Sequence, residues 1–422
     1  MTQNRRHPFY LFSGLTLSLL ILGLAVRDIY SRDLYVEHGG AINTISRAIL
    51  LSKNGDRIIV AAGRYAEGTI VVNKSVSIIG EGEVIVDGEG QGEIFTVTAN
   101  NVTIQGLIIQ NSGISYVQEN AGVRLKEVRN CTIQNNQFIM NFFAIYLAKC
   151  SDCLIRNNNI RSKGTTESSS GNGIHLWACR KVTIEDNTIT GHRDGIYFEF
   201  VKEGRIIHNV SEQNLRYGLH FMFSDSCLYS GNTFRENNAG VAVMYTKGMI
   251  MTENLFEHNW GPSSYGILLK DISDSDIEKN TFIGNSTGLY MEGSARMKIR
   301  KNDFTQNGWA IKLMANSYDN TFSDNNFIGN SFDVATNSRN NFNIFEGNYW
   351  SAYSGYDLDR DGVGDVPFRP VSLFSVITQQ QPVSLILLRS FMVSILDAAE
   401  KIIPVLTPET LLDSKPMIRR IP

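Results

Sequence analysis

Proline is almost absent from the body of this chain. Of nine prolines in 422 residues, only Pro262 falls between Phe9 and Val366, whereas Pro367, Pro370, Pro382, Pro404, Pro408, Pro416 and Pro422 crowd the end. A stacked sheet excludes proline, which has no N–H to give to a ladder, so the gap fits one long sheet structure that stops near Trp350. A surplus of basic charge is also missing. With 39 Lys and Arg against 42 Asp and Glu the formal charge is -3, which leaves no electrostatic footprint for nucleic acid. Cysteine is sparse: Cys131, Cys150, Cys153, Cys179 and Cys227 are an odd number without a dense disulfide pattern. No nucleotide-binding motif is found, so any energy must come from partners. What the chain does have is apolar residues, 42% of the total, enough for a large core.

Those residues repeat. Asn recurs at 136, 158, 187, 209, 232, 254, 280, 302, 325 and 348, in most cases with an apolar or aromatic residue two positions on, and the steps are 22, 29, 22, 23, 22, 26, 22, 23 and 23. Between these marks a small residue opens an alternating strand, as in Gly173-Ile-His-Leu, Gly195-Ile-Tyr-Phe, Gly218-Leu-His-Phe and Gly240-Val-Ala-Val. Two short strands per period suit no helical repeat, and the pattern predicts an all-β, right-handed parallel β-helix solenoid with an asparagine ladder. Asn is apt there because it tolerates left-handed backbone and its side chains bond from coil to coil. The two long steps are insertions, residues 163–172 and the Trp260-Gly-Pro-Ser-Ser segment, expected to loop out. Cys131 with Cys153, and Cys150 with Cys179, share offsets from the Asn marks, so each pair should stack as buried thiols on adjacent coils.

The ends differ from the body. Residues 1–27 place Arg5, Arg6 and His7 before an apolar run from Phe9 to Val26, the pattern of an export signal peptide or an uncleaved membrane anchor. Residues 34–100 are expected to hold an N-terminal helical cap around Ala41 to Ser52 and the first coils, 101–350 the regular β-helix, 351–370 an Asp-rich terminating loop, and 371–422 an amphipathic helical tail. In that tail Leu388, Met392, Ile395, Ala399 and Ile402 share one helical face, and Thr407-Pro408 reads as the start of a second helix. The tail is expected to dock on a membrane or a membrane subunit, with folding back as a C-terminal cap the alternative.

The Gly-led strand also tells which face points out. Its first and third residues after Gly are apolar and point inward, so the second and fourth point outward. Outward positions include His175, Trp177, Tyr197, Glu199, His220, Met222 and Met244. Met222 and Met244 stand one coil apart, roughly 4.8 Å along the stack, with His220 two residues from Met222. Thioether and imidazole together suit a soft ion such as Cu(I). The bland reading of the same residues is an adhesive face that docks another protein, with His175, Trp177 and Tyr197 among its contacts. A carbohydrate-binding or polysaccharide-modifying protein is the rival class, with Glu199 and Asp194 as an acid and base pair, although the Asp-Pro-His, paired-Asp and Gly-His-Gly patterns of β-helix polysaccharide enzymes are missing. After the last coil, Asp357, Asp359, Asp361 and Asp365 have the spacing that opens a calcium loop, but Phe368 stands where the closing Glu of an EF-hand belongs. A run of Asx turns satisfies the same residues, and either role is structural.

Several segments together, Tyr217-Gly-Leu-His-Phe-Met-Phe-Ser, Ala239-Gly-Val-Ala-Val-Met-Tyr, Asn259-Trp-Gly-Pro, Asn348-Tyr-Trp, Gly355-Tyr-Asp-Leu-Asp-Arg-Asp-Gly-Val-Gly-Asp-Val-Pro and Val405-Leu-Thr-Pro-Glu-Thr-Leu, resemble the NosD family of nitrous oxide reductase maturation proteins over nearly the whole chain after the N-terminal segment. The resemblance implies a periplasmic assembly factor, not an enzyme, held near the inner membrane. It implies work with an ABC-type ATPase and its membrane subunit on the copper-sulfur centre of nitrous oxide reductase. It also implies a copper chaperone lipoprotein as donor, so that copper passes transiently over His220, Met222 and Met244.

Overall fold

The computed structural model describes residues 31–115, 117–338, 340–388, 390–393, 395–396 and 411–422. The export segment and residues 397–410, with them Ala399, Ile402, Thr407 and Pro408, lie outside the described residues. The body is a parallel β-helix: one 12-stranded sheet runs the length of the molecule beside a 25-stranded sheet, every coil-to-coil pairing of strands parallel. Each coil contributes three strands rather than two. In one turn the Asp194–Glu199 strand is followed by Arg205–Ile207 and Val210–Glu212 before the chain re-enters the first position at Tyr217–Met222.

The asparagines sit between the second and third strands. Each is buried, and its amide spans coils: Asn209 Nδ2 donates to Asn232 Oδ1 at 3.0 Å, and Asn232 Nδ2 to Asn254 Oδ1 at 2.9 Å. The left-handed backbone belongs to the residue before, as at His208 (φ 53°), Glu253 (φ 58°) and Lys279 (φ 55°), and not to the ladder Asn itself. Asn is therefore required for its paired donor and acceptor, which satisfy buried main-chain groups at the corner. A second ladder, Asn214, Asn237, Asn259, Asn285 and Asn307, closes the corner before the first strand.

Two residues past the first ladder, aromatic rings stack through the interior. Phe234, Phe256, Phe282, Phe304, Phe327 and Trp350 follow one another at centroid separations of 5.5, 4.8, 4.6, 5.1 and 4.0 Å. All are fully buried, and each contributes about 2 kcal/mol or more by leaving water. The five cysteines are free and buried in the same core, with Cys150 N donating to Cys179 Sγ at 3.4 Å. The insertions at 163–172 and 260–264 form no strand and leave the register on either side intact.

Helix α1 (Ile45–Leu51) starts at Thr44, whose hydroxyl accepts from Arg47 N at 3.2 Å, and buries Ile45, Ala48 and Ile49 against the first coils. At the other end helix α2 (Leu373–Gln380) packs on the last strand of the 12-stranded sheet, with Val371 and Phe374 buried. The tail thus departs from the expected free amphipathic helix in two places. Residues 371–380 join the core, and 411–422 are not helical but return to pair with the final coil, Asp413 beside Phe345 and Met417 beside Tyr349. The open apolar end of a solenoid has to be covered, and these segments cover it. The stretch between them, a 3-10 turn at Pro382–Leu387 and helical residues 391–393, leaves Ile386, Phe391, Met392 and Ile395 exposed.

Candidate functional site

The outer face of the 12-stranded sheet carries a column of rings. Tyr146 and His175 stack at 4.5 Å, His175 and Tyr197 at 4.7 Å, and Tyr197 meets His220 edge-on at 4.9 Å. The Arg124 guanidinium lies over Tyr146 at one end. Because parallel strands in register bring equivalent positions together, ring covers ring. His175 is only 8% exposed and His220 only 6%, not half-open as their outward direction suggested. His175 Nδ1 meets Asn172 Nδ2 at 3.0 Å. Burial, with Arg193 nearby, pushes its pKa down to about 3, so it is neutral. It packs the column and offers little to a partner, whereas Trp177 and Tyr197 remain half-buried at the surface.

Met222 and Met244 are paired in register on adjacent strands, as are Tyr197 and His220. His220 and Met222 thus stand two residues apart on one strand, and Met244 is level with Met222 on the next. The Tyr197 hydroxyl reaches Met222 Sδ at 3.6 Å. On its other side His220 faces an ion pair whose carboxylate is buried: Arg216 Nε and Nη2 donate to the two carboxylate oxygens of Asp194 at 2.9 and 2.6 Å. His220 Nδ1 lies 3.2 Å from Arg216 Nη2 and 3.5 Å from Asp194 Oδ2. Burial raises the Asp194 carboxyl, but the bonds from His220 and Arg216 outweigh it and hold the group below its ordinary range. Nε2 of His220 is buried with no hydrogen-bond partner. A buried polar nitrogen without a partner is rare and calls for a ligand or a water.

Other expected residues fall elsewhere. Asp194 and Glu199 cannot act as an acid and base pair, because five residues of extended strand separate them by about 16 Å and Asp194 is fully buried in its ion pair, against separations of about 5–9.5 Å in glycosidases. Asp357, Asp359 and Asp361 do converge, with ligand oxygens within 4.8 Å of one another. Their oxygens accept from Arg360 N, Gly362 N, Asp361 N and Val363 N, while Asp365 turns away to Leu358 N. These bonds to main-chain N–H groups order the loop, in part as Asx turns. Leu388, Met392 and Ile395 are on the tail, far along the chain from the ring column. Sequence reasoning missed Arg216, although it immediately precedes the Tyr217 segment. It also missed an exposed ladder of Phe200, Phe223 and Tyr245, stacked at 5.3 and 5.0 Å beside the two methionines.

A parallel β-helix with a column of rings and two register-paired methionines on one outer face is the class of protein these features define. By sequence the chain belongs to the NosD family, described as periplasmic copper-binding protein, whose model matches residues 49–167 and 157–355. It is 29% identical over 427 residues to a protein of Pseudomonas aeruginosa named "Probable ABC transporter binding protein NosD", covering 96% of this chain and 95% of that one. A protein of the same name from Stutzerimonas stutzeri is 27% identical over 379 residues, covering 85% and 86%. Among solved structures, the Yersinia enterocolitica family 28 exopolygalacturonase superposes with a TM-score of 0.56 at 10% identity, covering 75% of this chain and 78% of that one. The A-module of the Azotobacter vinelandii mannuronan C-5 epimerase AlgE6 gives 0.50 at 13% identity, covering 73% and 93%. At such identities these two structures establish the fold alone. Among the described residues no helix is long and apolar enough to cross a membrane.

Proposed function

We propose that this protein is a periplasmic accessory factor that takes up Cu(I) at His220, Met222 and Met244 and passes it on during maturation of the copper-sulfur centre of nitrous oxide reductase. The observation that carries this reading is the unpartnered, buried Nε2 of His220, two residues along its strand from Met222, which is paired in register with Met244. Three soft donors on an otherwise flat face make an incomplete ligand set, which suits an ion received from one protein and given up to another. Copper is cargo here, not a resident cofactor. The relatives' names support an ABC transporter as partner. In this reading its membrane subunit meets the exposed apolar tail, a copper chaperone lipoprotein supplies the ion, and the β-helix is the rigid scaffold between them. Cu(I) titration against a chromophoric chelator tests the site. Wild type is expected to retain one chelator-resistant equivalent that His220→Ala, Met222→Ala, Met244→Ala together abolish; equal binding by both overturns the assignment.

A further inference from the structure

We infer that Asp194 is a positioning residue that holds His220 in the one neutral tautomer able to bind a metal. The inference rests on the copper reading above. His220 Nδ1 has two neighbours that make opposite demands: Arg216 Nη2 at 3.2 Å is a donor, and Asp194 Oδ2 at 3.5 Å is an acceptor. If Nδ1 accepts from Arg216, the ring proton sits on Nε2 and that nitrogen has no lone pair to give. If Nδ1–H points to Asp194, the Nε2 lone pair is free.

Three observations favour the second arrangement. First, Nε2 is buried and without a partner. A buried N–H aimed at no acceptor is rarer and costlier than a bare acceptor nitrogen, so the proton belongs on Nδ1. Second, the guanidinium is already placed by other contacts. Arg216 donates twice to Asp194 and lies 4.8 Å over the Tyr217 ring, so its approach to Nδ1 follows from those contacts. Third, Asp194 is fully buried on a face where the positions paired with it along the sheet are Tyr217 and then Ala239. An ion pair with one buried partner is weak evidence for stability, and aromatic or apolar residues fill this position in the next coils. A carboxylate that fixes the tautomer and ring orientation of a metal-binding histidine is the usual second layer of such sites.

The test uses the full chain labelled with 15N-histidine; with seven histidines, the His220 signals are assigned by their loss in His220→Ala. Long-range 1H–15N spectra of the copper-free protein should place the proton on Nδ1, and Asp194→Asn should move it to Nε2. The same substitution should lower Cu(I) affinity about 10–100-fold. A proton on Nε2 in the wild type, or an Asp194→Asn protein with unchanged tautomer and affinity, overturns the inference. Should Asp194→Asn fail to fold, Arg216→Gln decides: with Asp194 still present the proton must stay on Nδ1, and its loss from Nδ1 overturns the inference. The two levels fail differently. If His220→Ala binds copper like wild type, the ligand set is wrong whatever the tautomer; if it loses copper while Asp194→Asn does not, only the positioning role falls.

Discussion

Asp333 shows how a single residue reports its place in the stack. It occupies, on the last strand of the 12-stranded sheet, the column that Gly195, Gly218, Gly240, Gly266 and Gly288 hold below it. Burial raises its carboxyl to about 6, against which the hydrogen bond from Asn330 Nδ2 at 3.2 Å acts only weakly. The native state therefore holds the proton more tightly than the unfolded chain, whose carboxyl titrates near 3.8. Its contribution is complete below about pH 4 and is lost as pH rises through about 6. Asp333→Asn should be more stable than wild type at pH 7, on the order of 1–2 kcal/mol, and the gap should close by pH 4; a gap that does not change with pH in thermal melts refutes the assignment. The candidate site was partly legible in the same residue-by-residue way. Period-2 alternation put His220, Met222 and Met244 on one outer face, but it gave no sign that His220 is covered. Tyr197, edge-on from one coil away, and Tyr217, tilted against the ring from the same strand, do that, and the first depends on which residue lies one coil away. The Arg216–Asp194 pair escaped for the same reason, since its partners are 22 positions apart.

The strands were legible because their glycines have a spatial cause. A Cβ on Gly218 would stand 2.7 Å from Gly240 O, and one on Gly240 2.6 Å from Gly266 O, so the small residue that opens each strand marks the close approach of the next coil. Asp333 is tolerated where no further coil follows. The third strand of each turn was not legible, because three-residue strands such as Arg205–Ile207 and Val210–Glu212 meet at a single asparagine and read as one. The tail was half legible. Its apolar positions were recognised, but their fate is divided, Phe374 being buried on the last strand and Phe391 81% exposed. Val383, Ile386, Phe391 and Met392 are an unusual concentration of exposed apolar side chains in one short stretch, and such a patch marks an interaction site. Under the proposed function this stretch is the contact with the membrane subunit. Phe391→Ser with Ile395→Ser should shift the protein from the membrane fraction to the soluble periplasmic fraction without changing its melting temperature; unchanged fractionation would refute the docking role.

For the whole molecule the decisive question is how a solenoid ends. Every asparagine of the first ladder donates to the asparagine of the next coil, until Asn348, which has no coil beyond it. Asp413, 65 residues further on, takes the next rung. Its carboxylate, fully buried, accepts from Gly347 N at 3.1 Å, Asn348 N at 3.0 Å, Asn348 Nδ2 at 2.9 Å and Trp350 Nε1 at 3.0 Å. The returning segment also places Leu411 in the core and bonds Ile421 N to Asn326 Oδ1 at 2.9 Å. A truncation after Val371 would therefore remove a cap together with the docking tail, and loss of membrane association in it would not separate the two. Point substitution does. Asp413→Ala leaves three buried donors, Asn348 N, Asn348 Nδ2 and Trp350 Nε1, without an acceptor, each costing about 1–3 kcal/mol when unrelieved, so the last coils should open. Because each coil leans only on its neighbours, the opening should stay local: amide exchange should speed up at Phe345, Asn348 and Trp350 and remain slow at Phe234 and Phe256. Asp413→Asn keeps a carbonyl oxygen in the rung and should recover most of the protection. Uniform loss of protection along the stack, or none at Asn348, would show that Asp413 is not the terminal rung of the ladder.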